Sequence, residues 1–131
     1  MDSKRQIKIL YIDDEAINIL NFKVLFNDRY KVFTSLSIDE SIEVIEMEKP
    51  DIIFCDQKMP EKKGTEFFND LVESNGPGAE VPKVIITGYI ENQEINASLS
   101  SKIICAVVYK PIQEKQIHHG CYWNYFNPAE C

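Results

Sequence analysis

The chain has 131 residues, 44% of them hydrophobic and 27% charged, with a net charge of −7, which fits one globular domain with a proper core. The acidic balance argues against direct nucleic-acid binding, which needs basic patches for phosphate contacts. No apolar stretch reaches the ~20 residues of a membrane span, and Met1-Asp2-Ser3-Lys4-Arg5 lacks the apolar core of a signal peptide, so the cytoplasm is the expected compartment and no membrane is involved.

Strand and helix signals alternate along the chain. Residues 7–12 read as a first strand, closed by Asp13-Asp14-Glu15. Residues 15–26 read as a helix with Ile17, Leu20 and Val24 on one face and Glu15 as its first residue, where a negative charge suits the dipole. Tyr30-Lys31-Val32-Phe33 is a second strand. Ser37-Ile38-Asp39-Glu40 has the pattern of a capping box, and Ile38, Ile42 and Ile45 then line one helical face. Pro50 stops the chain before a third strand, Asp51-Ile52-Ile53-Phe54-Cys55, which ends on Asp56. Residues 65–73 make a third helix with Phe67, Phe68, Leu71 and Val72 inward, and Asn75-Gly76-Pro77-Gly78 is a loop. A fourth strand spans 83–87 and ends on Thr87. A fourth helix, roughly 91–100, has a thin apolar face of Ile95 and Leu99. The fifth strand is 103–108, and Lys110-Pro111 follows it. Cys55 and Cys105 sit in apolar runs as small buried hydrophobes. Cys121 and Cys131 lack the paired short spacings of zinc sites.

Strands this short and this β-branched belong to parallel sheets covered on both faces. In such open sheets the carboxyl ends of the strands meet at one edge, where ligands bind. Two strands therefore deliver carboxylates, Asp13 and Asp14 from one and Asp56 from the other, to one place. Like charges side by side raise one another's pKa and need a cation, and a hard divalent ion with oxygen ligands is the natural one. Taken singly, each residue has a plain reading. An aspartate at a strand end is commonly a turn former or cap, Lys110 a solvated lysine and Thr87 a strand residue or cap.

The combination is more specific. An acidic pair, an aspartate, a threonine and a Lys-Pro, in this order and each at the end of an apolar run, resemble the receiver domain of two-component response regulators. Asp56-Gln57-Lys58-Met59-Pro60, with Gly64 at the loop spacing, carries part of the match. The resemblance covers roughly residues 6 to 112. It implies an α/β fold, a doubly wound five-stranded parallel sheet of the flavodoxin/CheY-like type in the order 2-1-3-4-5, with the site at the switch between strands one and three.

The resemblance further implies phosphoryl transfer onto Asp56 from a histidine kinase or histidine phosphotransfer protein, followed by a conformational switch. It makes the chain a signalling phosphoacceptor rather than an enzyme. The implied cofactor is Mg²⁺, or Mn²⁺, held by a side chain from Asp13 or Asp14, by the Asp56 side chain and by the backbone carbonyl of Lys58. Lys110 would supply a fixed positive charge and Thr87 a hydroxyl. A homodimer or an output partner would use the face of helix four, strand five and helix five.

Some positions depart from the family pattern. Lys58 and Tyr89 occupy the places that gate the attacking water in dephosphorylation. The aromatic expected three residues before the site lysine is replaced by Val107. Side chains alternate along a strand, so Tyr109 shares the face of Val107 and is the candidate to take over the switch with Thr87. A fifth amphipathic helix is expected after Pro111, but Gly120 interrupts it and an aromatic segment follows. The receiver unit is thus set at 6–119 and a tail at 120–131, either a non-native end or a partner contact. Two rivals remain. A small phosphohydrolase of the haloacid dehalogenase type would want an aspartate where Lys58 stands. A phosphorylation-independent binding module would have no need of an intact site.

Overall fold

A computed structural model describes residues 6–88 and 93–112. Its elements are β1 (Lys8–Ile12), α1 (Ala16–Phe26), β2 (Lys31–Ser35), α2 (Ile38–Glu48), β3 (Ile52–Asp56), α3 (Gly64–Ser74), β4 (Lys83–Thr87), α4 (Gln93–Ser100) and β5 (Ala106–Tyr109). Among the described residues the five strands form one parallel sheet in the order β2-β1-β3-β4-β5. None of the described helices is long and apolar enough to cross a membrane.

Strand alternation splits the core into two layers. Ile9, Tyr11, Ile52, Phe54, Val84, Ile86, Ala106 and Val108 share one layer with Ile19, Phe22 and Phe26 of α1. Leu10, Ile12, Ile53, Cys55, Ile85 and Val107 point the other way, onto α2, α3 and α4. Each layer buries a run of Ile, Val and Phe side chains, worth roughly 1.5–3 kcal/mol apiece. This two-sided burial is why the inner strands run largely apolar rather than alternating, whereas the edge strand β2 is only partly buried.

Local signals explain most boundaries. The Ser37 hydroxyl caps α2 by accepting from the Glu40 N–H at 3.1 Å. The Glu40 carboxylate reaches back to the Leu36 N–H at 3.1 Å, one residue before the expected capping-box partner. Lys49, in the left-handed region at φ 51°, ends the helix before Pro50.

Several expectations need correction. The inward face of α1 is Ile19, Phe22 and Phe26, while Ile17, Leu20 and Val24 are exposed. The helix is apolar on more than one stripe, and the aromatic stripe fills the space over β1 and β3 better. Glu15 is the residue before the helix, not its first member. In α2, Ile42 is exposed and the small Ser41 takes the buried place. Val72 in α3 is only half-buried, and Leu99 in α4 is exposed.

β2 starts at Lys31, after the buried Tyr30. β5 starts at Ala106, because α4 runs into a turn with Lys102 at φ 65° and the Ile103 N–H bonded back to the Ser98 carbonyl at 2.9 Å. That turn leaves Cys105 half-buried rather than buried. The expected fifth helix and the tail, residues 113–131, lie outside the described residues.

Candidate functional site

The site stands at the carboxyl edge of the sheet, where β1 and β3 are neighbours but their outer neighbours β2 and β4 run to opposite sides. This is the topological switch point at which open α/β sheets bind ligands. Asp56 is the last residue of β3 and is buried. The chain then stays tied to the sheet, since the Gln57 N–H bonds to the Ile86 carbonyl at 2.9 Å.

The Gln57 side chain closes the loop that follows. Its Nε2 donates to Thr65 Oγ1 at 3.1 Å, and its Oε1 accepts from the Thr65 N–H at 3.0 Å. The Gly64 N–H donates to the Gln57 carbonyl at 3.0 Å. These bonds draw the start of α3 against the end of β3. A Cβ at Gly64 would lie 2.7 Å from the Asp56 carbonyl oxygen and 2.8 Å from Ile85 Cδ1, so only glycine fits this approach.

Asp13 follows β1 and is fully buried. Its Oδ1 accepts from the Glu15 N–H at 2.9 Å. Its Oδ2 accepts from the Tyr11 hydroxyl at 2.5 Å and from Asn18 Nδ2 at 3.1 Å. Asp14 is exposed at the mouth of the site. One carboxylate oxygen from each of Asp13, Asp14 and Asp56 lies within 4.8 Å of the others. Lys110, from the end of β5, places Nζ 3.1 Å from Asp56 Oδ1 and 3.8 Å from Asp13 Oδ2. Its backbone N–H bonds to the Thr87 carbonyl at 2.9 Å, which ties the ends of β4 and β5 together. Thr87 itself is buried.

Burial pushes the Asp56 carboxyl above its ordinary pKa, Asp13 and Asp14 push it further the same way, and the Lys110 ammonium pulls it back. The Tyr11 hydroxyl is held far above its ordinary range by burial and by the Asp13 carboxylate. Three carboxylates against one ammonium leave an excess of negative charge on hard oxygen donors, with one donor open to solvent. That donor set fits an ion such as Mg²⁺, which keeps several waters.

The expected residues Asp13, Asp14, Asp56 and Lys110 thus come together, with Thr87 at the adjoining strand end. Val107 is buried and Tyr109 is 40% exposed. Tyr109 is the register partner of Thr87 in the β4–β5 ladder. The Lys58 side chain is exposed, and Tyr89 lies outside the described residues. Sequence reasoning missed Tyr11, Asn18, Gln57 and Thr65. A signal existed for Tyr11: a hydroxyl-bearing aromatic two places before Asp13 in an aliphatic strand shares its face.

Comparisons with known proteins point the same way. The family model described as response regulator receiver domain matches residues 9–121. The chain is 28% identical over 109 residues to the hydrogenase transcriptional regulatory protein HoxA of Cupriavidus necator, covering 83% of this chain but 22% of that protein. It is 28% identical over 94 residues to sporulation initiation phosphotransferase F of Bacillus subtilis, covering 70% of this chain and 72% of that one. The chain therefore spans about a fifth of the first relative's length. Among solved structures, a response regulator receiver domain protein (CheY-like) from Methanospirillum hungatei shares the fold at a TM-score of 0.80 and 20% identity, covering 96% of this chain and 98% of that one.

Proposed function

The chain belongs to the response regulator receiver domain family, and from that footing we propose that Asp56 is its phosphoacceptor. One observation carries the assignment. Asp56 is the carboxylate that stands nearest the Lys110 ammonium, at 3.1 Å, inside the three-carboxylate cluster at the switch point. The reading is that an Asp56 oxygen attacks the phosphorus of a phosphohistidine. The new P–O bond forms as the donor's P–N bond breaks, and the imidazole leaves and takes up a proton from solvent. Lys110 then stays with the phosphoryl oxygens, and the Thr87 hydroxyl donates to one of them.

Mg²⁺, or Mn²⁺, would be held by Asp14, Asp56 and Asp13, with the Lys58 carbonyl as a further ligand. When bound it neutralises the carboxylates and the charge on the transferring group.

The proposed donor is a histidine kinase or a histidine phosphotransfer protein in the cytoplasm. The working unit is residues 6–119, with 120–131 as a tail. Lys58 and Tyr89 gate the water that hydrolyses the acyl phosphate, and the chain's chemistry is limited to its own phosphorylation and dephosphorylation. Output, or a second copy, is read on the face of α4 and β5, where Leu99 and Tyr109 are exposed; the helix-five part of the expected face lies outside the described residues. Intact mass after incubation with acetyl phosphate and Mg²⁺ tests the reading. A gain of one phosphoryl group, lost on hydroxylamine treatment, marks an acyl phosphate. A protein of unchanged mass, or one that turns over phosphate esters instead, contradicts it.

A further inference from the structure

Tyr11 and Asp13 lie two positions apart, so their side chains leave the same face of the sheet. The Tyr11 ring is fully buried and stacks on Phe22 with centroids 4.5 Å apart. That anchor holds the hydroxyl on Asp13 Oδ2 at 2.5 Å. Asn18 Nδ2 donates to the same oxygen at 3.1 Å. A carboxylate oxygen offers about two lone-pair sites, so Oδ2 is satisfied without Lys110. The ammonium correspondingly stands 3.8 Å from Asp13 Oδ2 but 3.1 Å from Asp56 Oδ1.

We propose that the Tyr11 hydroxyl is a positioning group: by occupying Asp13 Oδ2 it commits the Lys110 ammonium to Asp56 and to the phosphoryl group that Asp56 accepts. The proposal rests on Asp56 being the acceptor. It adds a residue that touches neither the phosphoryl group nor the metal and acts only through Asp13.

The idea has a signature that packing alone does not share. Without the hydroxyl, Asp13 Oδ2 regains a lone pair and draws Lys110 away from Asp56, so phosphoryl transfer slows. The carboxylate cluster as a whole also loses one donor, whichever oxygen Lys110 chooses, and its excess negative charge attracts a divalent cation more strongly. Transfer rate and metal affinity should therefore move in opposite directions. A loosened strand end would lower both.

The test is Tyr11→Phe in the full chain, which keeps the ring and its stack on Phe22. Two quantities are measured: the rate of labelling by acetyl phosphate at saturating Mg²⁺, and the Mg²⁺ dissociation constant from amide NMR shifts without a phosphodonor. The expected results are a rate about tenfold lower, as one lost hydrogen bond to a charged group can give, and an Mg²⁺ affinity about threefold tighter. Asn18→Ala, which removes the longer bond to the same oxygen, should shift both in the same directions but less. The proposal is overturned if Tyr11→Phe matches the parent in both measurements, or if both fall along with the melting temperature. A parent that takes no phosphoryl group removes the acceptor reading and this one with it. A labelled parent matched by Tyr11→Phe removes only the role of Tyr11.

Discussion

Lys110 Nζ lies 3.1 Å from Asp56 Oδ1 and so joins the end of β5 to the end of β3 across β4. The ammonium is the counter-charge of a buried carboxylate whose surroundings otherwise resist ionisation. Because burial outweighs Lys110, the folded state holds the Asp56 proton more tightly than the unfolded chain does.

That imbalance fixes a sign. A raised folded-state pKa contributes stability that is full below the unfolded value, here 3.8, and is lost as pH rises through the folded one. Asp56→Asn should therefore be more stable than the parent at neutral pH without divalent cations, and the advantage should shrink as pH falls toward the ordinary carboxylate range. Urea unfolding between pH 4 and 8 checks this. An advantage that is flat with pH, or that grows toward acid, contradicts it.

A divalent cation should offset the same repulsion. Mg²⁺ at a tenfold excess over its dissociation constant adds about 1.4 kcal/mol of stability, a shift of roughly 5 °C in melting temperature. Asp14→Ala should remove most of this response and leave the fold intact, since Asp14 is exposed. A parent melting curve indifferent to Mg²⁺ in the millimolar range counts against the cluster as a metal site.

Gly64 lies close against the Asp56 backbone. Gly64→Ala puts a Cβ against the Asp56 carbonyl oxygen and Ile85 Cδ1. Overpacking of this kind costs about 1–3 kcal/mol, and relief by moving the end of β3 displaces Asp56. The variant should melt lower and label more slowly. Gly76→Ala, whose nearest neighbour would be 3.6 Å away, serves as the tolerant control.

Much of this was legible in the residues, for a physical reason. Runs such as Ile9–Ile12 and Ile52–Cys55 are too short for core helices and too uniformly apolar for half-exposed strands, so they fixed β1 and β3 and placed Asp13, Asp14 and Asp56 at one edge. Helix faces were harder. In α1, Ile17, Leu20 and Val24 keep helical spacing as well as Ile19, Phe22 and Phe26 do, and periodicity cannot choose between two apolar stripes. The polar fastenings were hidden as well. Gln57 and Thr65 are eight positions apart and meet only once the loop closes. In the sequence Tyr11 reads as one more apolar strand residue, and only the fold sets its hydroxyl on Asp13.

On the proposed reading the switch runs through Thr87 and Tyr109, which are register partners across β4 and β5. Register partners share a sheet face, so when Thr87 turns toward a phosphoryl group the space it leaves is next to Tyr109. Val107 on that face is buried and too small to cross it. Tyr109→Ala should uncouple NMR shifts around α4 from a bound phosphoryl mimic, and Val107→Ala should not. Equal responses in the two variants would show that the signal leaves through Thr87 and the loop after β4 instead.

The most direct measurement is the mass of the parent and of Asp56→Asn after each is incubated with acetyl phosphate and Mg²⁺. The parent should gain one phosphoryl group, and peptide mapping should place it on the segment holding Asp56. Asp56→Asn should gain none while folding normally. Equal labelling of the two proteins would show that Asp56 is not the acceptor.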